Sequence, residues 1–267
     1  MKRIDKKNSI RFRARVSKGS KFSQIYVPKS VEEIGAGDLV EVRLVQKRVS
    51  LFSRHVKNLP VFKQKVLEGV IRIGLGCGVQ NVFVVGSFLT DVAGYHDIDV
   101  LVLVRDGENR SVWSERVLDA IIEEFPLKFH VLALWESEFE HLRNSCPLTN
   151  SMLYRYVSSR GISKTSSRFI DKNRILFLLM LPEDALGVIV ESRTLYDCVR
   201  RVVTIERFLK KESVDVLEVV EQVENILGVK IFEFLKRNEQ INDDIRNHVR
   251  SLLRERIESV KELLKNG

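Results

Sequence analysis

The stretch VFVVGSFLTDVAGYHDIDVLVLV, Val82 to Val104, constrains this chain more than any other. It is apolar enough to lie inside a sheet, yet it holds Gly86-Ser87 at one point and Asp97-Ile98-Asp99 further on. Two carboxylates in a buried strand are costly unless a cation or hydrogen-bond donors compensate them. Side chains alternate between the faces of a strand, so Asp97 and Asp99 share one side, roughly 7 Å apart along the chain, while Ile98 and Val100 turn to the core. Acids so placed can grip one hard divalent cation whose remaining positions go to water and phosphate oxygens, the usual arrangement for magnesium. Gly86 permits a tight turn and a close approach of backbone to ligand. Ser87 offers a hydroxyl beside the N–H groups of a helix start. The stretch therefore reads as a phosphate cradle beside a metal clamp. The plainer reading is two exposed acids hydrogen-bonded at a strand start, with Gly86 serving only a loop.

The flanking segments supply the context for that strand. VFKQKVLEGVIRIGL, residues 61–75, spaces Val61, Phe62, Val66, Val70 and Ile73 as an amphipathic helix, stopped by Gly76 and Gly78. SVWSERVLDAIIEEF repeats the helical spacing before Pro126, and LKFHVLALW supplies a further strand. Helix, strand, strand, helix, strand is an α/β order. Residues 151–172, rich in Ser and Arg, read as a linker or surface loop. From Arg174 onward the pattern is helical, with Ser213 as an N-cap and a last helix from about Asp243 to Leu264. No chemistry is legible in this tail, whose mixed charges read as solvated helix faces.

Charge is distributed unevenly. Residues 1–60 hold 15 Lys and Arg against 5 Asp and Glu, so the net charge of +8 belongs wholly to this end of the chain. A cationic block beside a near-neutral body points to a polyanionic partner, nucleic acid ahead of membrane, or to a solvated surface. Here RFRARV and SQIYVPKS read as strands about the turn SKGSK, and GAGDLVEVRLV as a turn followed by an alternating strand. Fewer than about 60 residues bury little surface alone, so such a unit needs a partner chain or a neighbouring domain. The order of strand, turn, YVPKS and GAGDLVEVRL resembles the swapped-hairpin DNA-binding domain of the AbrB and MazE type, in which two chains interleave. That resemblance implies DNA contacts from Arg11, Arg13, Arg15, Lys18 and Lys21, and a second copy of the chain as a partner.

VVGSFLTDVAGYHDIDVLV, with the helix before it and the helix and strand after it, resembles the nucleotidyltransferase superfamily of the DNA polymerase beta type, especially its minimal members. The resemblance covers roughly residues 62–140. It implies that Gly86 and Ser87 bind the phosphates of a nucleoside triphosphate, and that Asp97 and Asp99 act as the catalytic acids and hold magnesium or manganese. The implied reaction is in-line attack of an acceptor hydroxyl on the α-phosphate, with pyrophosphate leaving. The family's third carboxylate belongs on the strand where this chain has Lys128 and His130, with His130 or Glu136 as stand-in ligands. Phe88, Leu89, Thr90 and Asp91 follow Gly-Ser where minimal members tend to carry a basic residue. Three readings thus stand: a metal-dependent transferase with an unknown acceptor, a degenerate transferase fold serving as a DNA-binding regulator or antitoxin-like protein, or a chain whose β unit only dimerises it, the basic block being incidental.

The fold class expected is α+β and multidomain: a basic β domain over 1–58, a nucleotidyltransferase-like α/β domain over 59–150, and a helical domain over 151–267. Hydrophobic residues at 44% and charged residues at 30% match a folded, water-soluble chain. The longest apolar runs, Val100–Val104 and Ile175–Pro182, are too short to span a bilayer, so a cytoplasmic protein without a membrane partner is expected. Cys77, Cys146 and Cys198 are scattered, which predicts buried free thiols rather than a disulfide framework or zinc site.

Overall fold

A computed structural model of the chain describes residues 12–42, 49–56, 58–90, 97–162 and 168–266. They divide into two units, residues 1–48 and 49–267.

In the first unit, β1 (Val16–Lys18) pairs antiparallel with β2 (Ser23–Ile25), closed by a hydrogen bond from Gly19 N–H to the Phe22 carbonyl. This is the hairpin expected around SKGSK. Asp38–Val42 form no strand, which corrects the expected alternating strand over its described part; its remainder, residues 43–48, lies outside the described residues. Phe22, Tyr26, Leu39 and Val42 are exposed, as expected of a unit too small to bury its own apolar side chains.

The second unit is built on a five-stranded sheet in the order β3-β7-β4-β5-β6. Its strands are β3 (Phe52–Arg54), β4 (Asn81–Val85), β5 (Ile98–Val104), β6 (Phe129–Trp135) and β7 (Tyr156–Ser158). All neighbours run antiparallel except β5 and β6, which run parallel. A parallel pair requires a crossover, supplied here by α2 (Arg110–Glu124). The side chain of Asn109 caps α2 by accepting from the N–H groups of Ser111 and Val112.

Period-two alternation divides the strands between two cores. Val82, Val84, Ile98, Val100, Val102, Phe129 and Val131 face α1 (Val61–Cys77) and α2. Phe83, Val85, Leu101, Leu103 and Leu134 face the opposite layer. That layer holds α3 (Glu136–Ser145), α4 (Pro147–Met152), α5 (Lys172–Gly187), α6 (Ser192–Leu209), α7 (Val216–Leu227), α8 (Val229–Lys236) and α9 (Asp243–Asn266). The expected helix over 61–75 is present, and Val66 and Val70 are buried on it as its spacing predicts. Val61 and Phe62 are exposed, Lys63 is buried, and Gly76 lies within the helix, which ends at Gly78 in the left-handed conformation.

The reading of 151–172 as a linker is overturned. Tyr156–Ser158 are wholly buried as β7 between β3 and β4, and three residues are too short a run to show a period. Phe52–Arg54, drawn from within 1–58, form the sheet edge beyond it. The cap of α7 is Asp215 rather than Ser213, whose hydroxyl instead accepts from the Asp215 N–H. Cys146 and Cys198 are buried free thiols, whereas Cys77 is only half-buried. Burial pushes the Cys198 thiol up to about 11. None of the described helices is long and apolar enough to cross a membrane.

Asp215 also joins the helical layer to the sheet. Arg155 donates to both of its carboxylate oxygens and to the His55 carbonyl, and the Leu217 N–H donates to Asp215 as well. Burial pushes this carboxyl up, but the Arg155 and Leu217 hydrogen bonds and the Arg155 charge outweigh it, leaving it below its ordinary 3.8. Its stabilising effect is complete above that value and is lost as pH falls toward the depressed one. Asp215→Ala removes both the cap and the ion pair, so urea unfolding at pH 7 is expected to show a loss of about 2–4 kcal/mol.

Candidate active site

One register row crosses the sheet at a single end: Arg54, Tyr156, Val85, Asp99 and His130, from β3 through β7, β4 and β5 to β6. Pairing residues point to the same face, so Asp99 belongs to the side covered by the helical layer, at its rim. The alternation that buries Ile98 and Val100 against α1 and α2 forces Asp99 out to this side. Asp97 immediately precedes β5, which is anchored by a hydrogen bond from the Ile98 N–H to the Lys128 carbonyl.

Gly86 follows the row on β4 with φ 80° and ψ −161°. A Cβ placed on it would lie 2.5 Å from Oδ2 of Asp99. The glycine corner and the second carboxylate of the Asp-x-Asp are therefore in van der Waals contact. Exposed Ser87 then opens a 3-10 turn, Ser87–Leu89, in which the Leu89 N–H bonds the Gly86 carbonyl, and the Thr90 N–H and hydroxyl bond the Ser87 carbonyl. Lys63 donates to the Thr90 carbonyl at 2.8 Å and sits over the Phe88 ring, fixing the turn onto α1. No apolar period marks a lysine for that duty, and sequence reasoning assigns it none.

The electrostatics converge on Asp99. Burial raises its carboxyl above the usual carboxylate range, and the negative charge of Asp97 raises it further. His130 and Arg200 offset part of this: Nδ1 of His130 is 3.5 Å from Oδ1 of Asp99, and Arg200 approaches from α6. Arg200 is held 3.5 Å from Asp197, which also lies 3.5 Å from Arg193 one turn back. This cation comes from the tail in which no chemistry was legible; the i, i+4 and i, i+3 charge spacing at 193, 197 and 200 was the one available sign.

The two proposed substitutes for a third carboxylate part company. His130 stands beside Asp99, on the register position next to it. Glu136 begins α3 beyond the far end of β6, roughly 20 Å away along the strand, and its carboxylate is 3.9 Å from Arg160. Its inclusion in the site is overturned. Among the described residues, no three His, Cys, Asp or Glu side chains form a group that could hold a metal ion. The acid pair itself suits a divalent cation: two carboxylates beside a glycine corner, the charge of Asp97 opposing the ionisation of Asp99, are stabilised by a doubly charged oxygen-binding ion.

Arg13, Arg15, Lys18 and Lys21 are exposed on and around the β1–β2 hairpin of the other unit. Arg11 lies outside the described residues.

Residues 63–147 match the nucleotidyltransferase domain family. The matched segment holds α1, β4, the Gly86-Ser87 turn, β5, α2, β6 and α3, the elements that build this site, and the mixed sheet with its helices agrees with the nucleotidyltransferase fold. It supports nucleotidyl transfer as the class of activity. β3, β7 and Arg200 lie outside it. Among curated proteins no match is found.

Proposed function

We propose that this protein transfers a nucleoside monophosphate from a nucleoside triphosphate to an acceptor hydroxyl, with Asp97 and Asp99 holding magnesium or manganese. The observation that carries this reading is the contact between the Gly86 corner and the Asp99 carboxylate. Gly86 and Ser87 place the triphosphate, the missing side chain at 86 leaving room for phosphate oxygens against the acids. The bound cation neutralises charge developing on the transferred group. Arg200 supplies positive charge at the same rim, standing in for the basic residue absent after Ser87, and His130 stands beside Asp99. Incubation with labelled triphosphates, a divalent cation and candidate acceptors, the protein itself included, tests this. Transfer that survives Asp97→Asn plus Asp99→Asn contradicts the assigned roles.

A second reading is favoured by His130 at the place of a third acid: a degenerate transferase fold that acts as a DNA-binding regulator through the basic hairpin. His130→Asp separates the two. A parent that is inert beside a variant that transfers identifies the degenerate state, whereas an active parent excludes it.

In either reading the hairpin is proposed to bind DNA phosphates through Arg13, Arg15, Lys18 and Lys21. Affinity should then fall steeply with salt, and alanine at all four positions should flatten the log–log salt slope by about 0.9 for each phosphate no longer neutralised. Equal slopes in parent and variant would remove these residues from the interface.

A further inference from the structure

The register row that ends in Asp99 and His130 begins at Arg54 on β3, and the pairing turns Arg54 to the same face of the sheet. Tyr156 and Val85, between the two ends, are buried under the helical layer. Protein and three strand spacings, roughly 14 Å, thus separate Arg54 from Asp99. Arg54 is exposed, and it stands near Arg168. Partial burial, and then the charge of Arg54 close by, lower the Arg168 guanidinium from its ordinary value, and both side chains remain cations.

Arg168 is held in place. Its guanidinium carbon lies 5.6 Å from the ring centroid of buried Phe208, and the N–H of the next residue, Phe169, bonds the Asn144 carbonyl near the end of α3. Phe208 stands eight residues, about 12 Å, along α6 from Arg200, whose charge acts on Asp99. Helix α6 therefore follows the row from the acids to the arginine pair. Among the described residues neither Arg54 nor Arg168 has a carboxylate at ion-pair distance, whereas Arg72, Arg110, Arg155 and Arg207 each do. Two guanidiniums kept close without an acid cost free energy until an anion joins them, and their planar forks match phosphate oxygens. Arg54, Arg168 and Phe208 all lie outside residues 63–147, so the family match does not account for the pair.

We propose that Arg54 and Arg168 form a second phosphate-binding site, separate from the Gly86 corner, for a phosphate borne by a ligand other than the triphosphate. Its use in transfer rests on the function proposed above; binding itself does not. Four nucleotides of a stacked strand, at about 3.4 Å each, cover about the same 14 Å, so a nucleic-acid strand whose terminal hydroxyl meets the acids is one source of that phosphate. Free inorganic phosphate is the other. Thermal unfolding of the full chain with millimolar inorganic phosphate and no divalent cation tests the site. The midpoint should rise over a chloride control of equal ionic strength, and Arg54→Gln and Arg168→Gln should each weaken phosphate binding about tenfold. Asp97→Asn with Asp99→Asn should not reduce the rise, nor should Lys65→Gln, which removes an equal charge from the exposed side of α1. A parent unmoved by phosphate overturns the proposal, as does an equal loss in Lys65→Gln, which would reduce the effect to net charge. Fluorescence anisotropy identifies the source, using a single strand of about eight nucleotides and a chain with alanine at Arg13, Arg15, Lys18 and Lys21, so that the hairpin does not mask the result. A fall of about tenfold on Arg54→Gln with Arg168→Gln assigns the site to nucleic acid; an unchanged affinity assigns it to free phosphate. If magnesium-triphosphate affinity falls instead, the pair belongs to the Gly86 corner and the proposal is overturned. None of these readouts needs transfer, so an inert protein would sink the proposed function and leave the site standing.

Discussion

Asp99→Asn is expected to lower nucleotidyl transfer on the order of 10³-fold while raising the thermal midpoint of the metal-free protein at pH 7. The two effects share one cause. Burial and the neighbouring Asp97 raise the Asp99 carboxyl, so the folded chain keeps its proton to a higher pH than the unfolded chain, whose ordinary value is 3.8. The folded state therefore loses stability as pH climbs from that value through the raised one, and asparagine, which never ionises, escapes the loss. The gap between variant and parent should open above about pH 4 and then level off. Adding magnesium or manganese should reverse the order, stabilising the parent by binding its ionised acids and leaving the variant unmoved. Thermal unfolding across pH, with and without the cation, reads all of this without a known acceptor. A parent indifferent to divalent cations would sink the metal assignment.

Gly86→Ala should produce the second largest change. At φ 80° and ψ −161° the backbone occupies a region that is essentially reserved for glycine, and a side chain there costs about 1–3 kcal/mol. The added methyl would also lie 2.5 Å from Oδ2 of Asp99. A carboxylate can swing away, so the chain should still fold, with a midpoint lowered in urea. The displaced oxygen belongs to a proposed metal ligand, so transfer should fall about 10²-fold or more and stabilisation by divalent cations should shrink with it. Ser87→Ala, exposed and without backbone strain, should leave stability within about 0.5 kcal/mol. Equal losses of stability in the two variants would show that Gly86 has no conformational duty.

What the sequence disclosed follows from periodicity. The run from Val82 to Val104 announced two strands because alternation and apolarity were continuous, and β4 and β5 lie there. The contact of Gly86 with Asp99 arises from antiparallel pairing of β4 with β5, strands consecutive in the chain, and the Asp-x-Asp spacing was its outward sign. β7 escaped notice because three residues cannot display a period, and its partners are β4 and β3, about 70 and 100 residues earlier in the chain. Arg200 escaped for another reason: its tie to Asp99 passes from the helical layer to the sheet, and one sequence carries no trace of such a meeting. Lys63 was disguised by an apolar stripe that seemed to begin at Val61, although the helix turns that residue outward.

The insertion of Tyr156–Ser158 between the first and third strands of the sheet bears on how the segment matching the nucleotidyltransferase domain could be excised. A fragment trimmed to the matched segment would strip β4 of one neighbour and leave its backbone donors and acceptors bare along Phe83–Val85. Such a frayed border templates sticking between molecules. The smallest transplantable piece of this protein is therefore much larger than its signature, extending from the edge strand at Phe52 into the bundle that delivers Arg200.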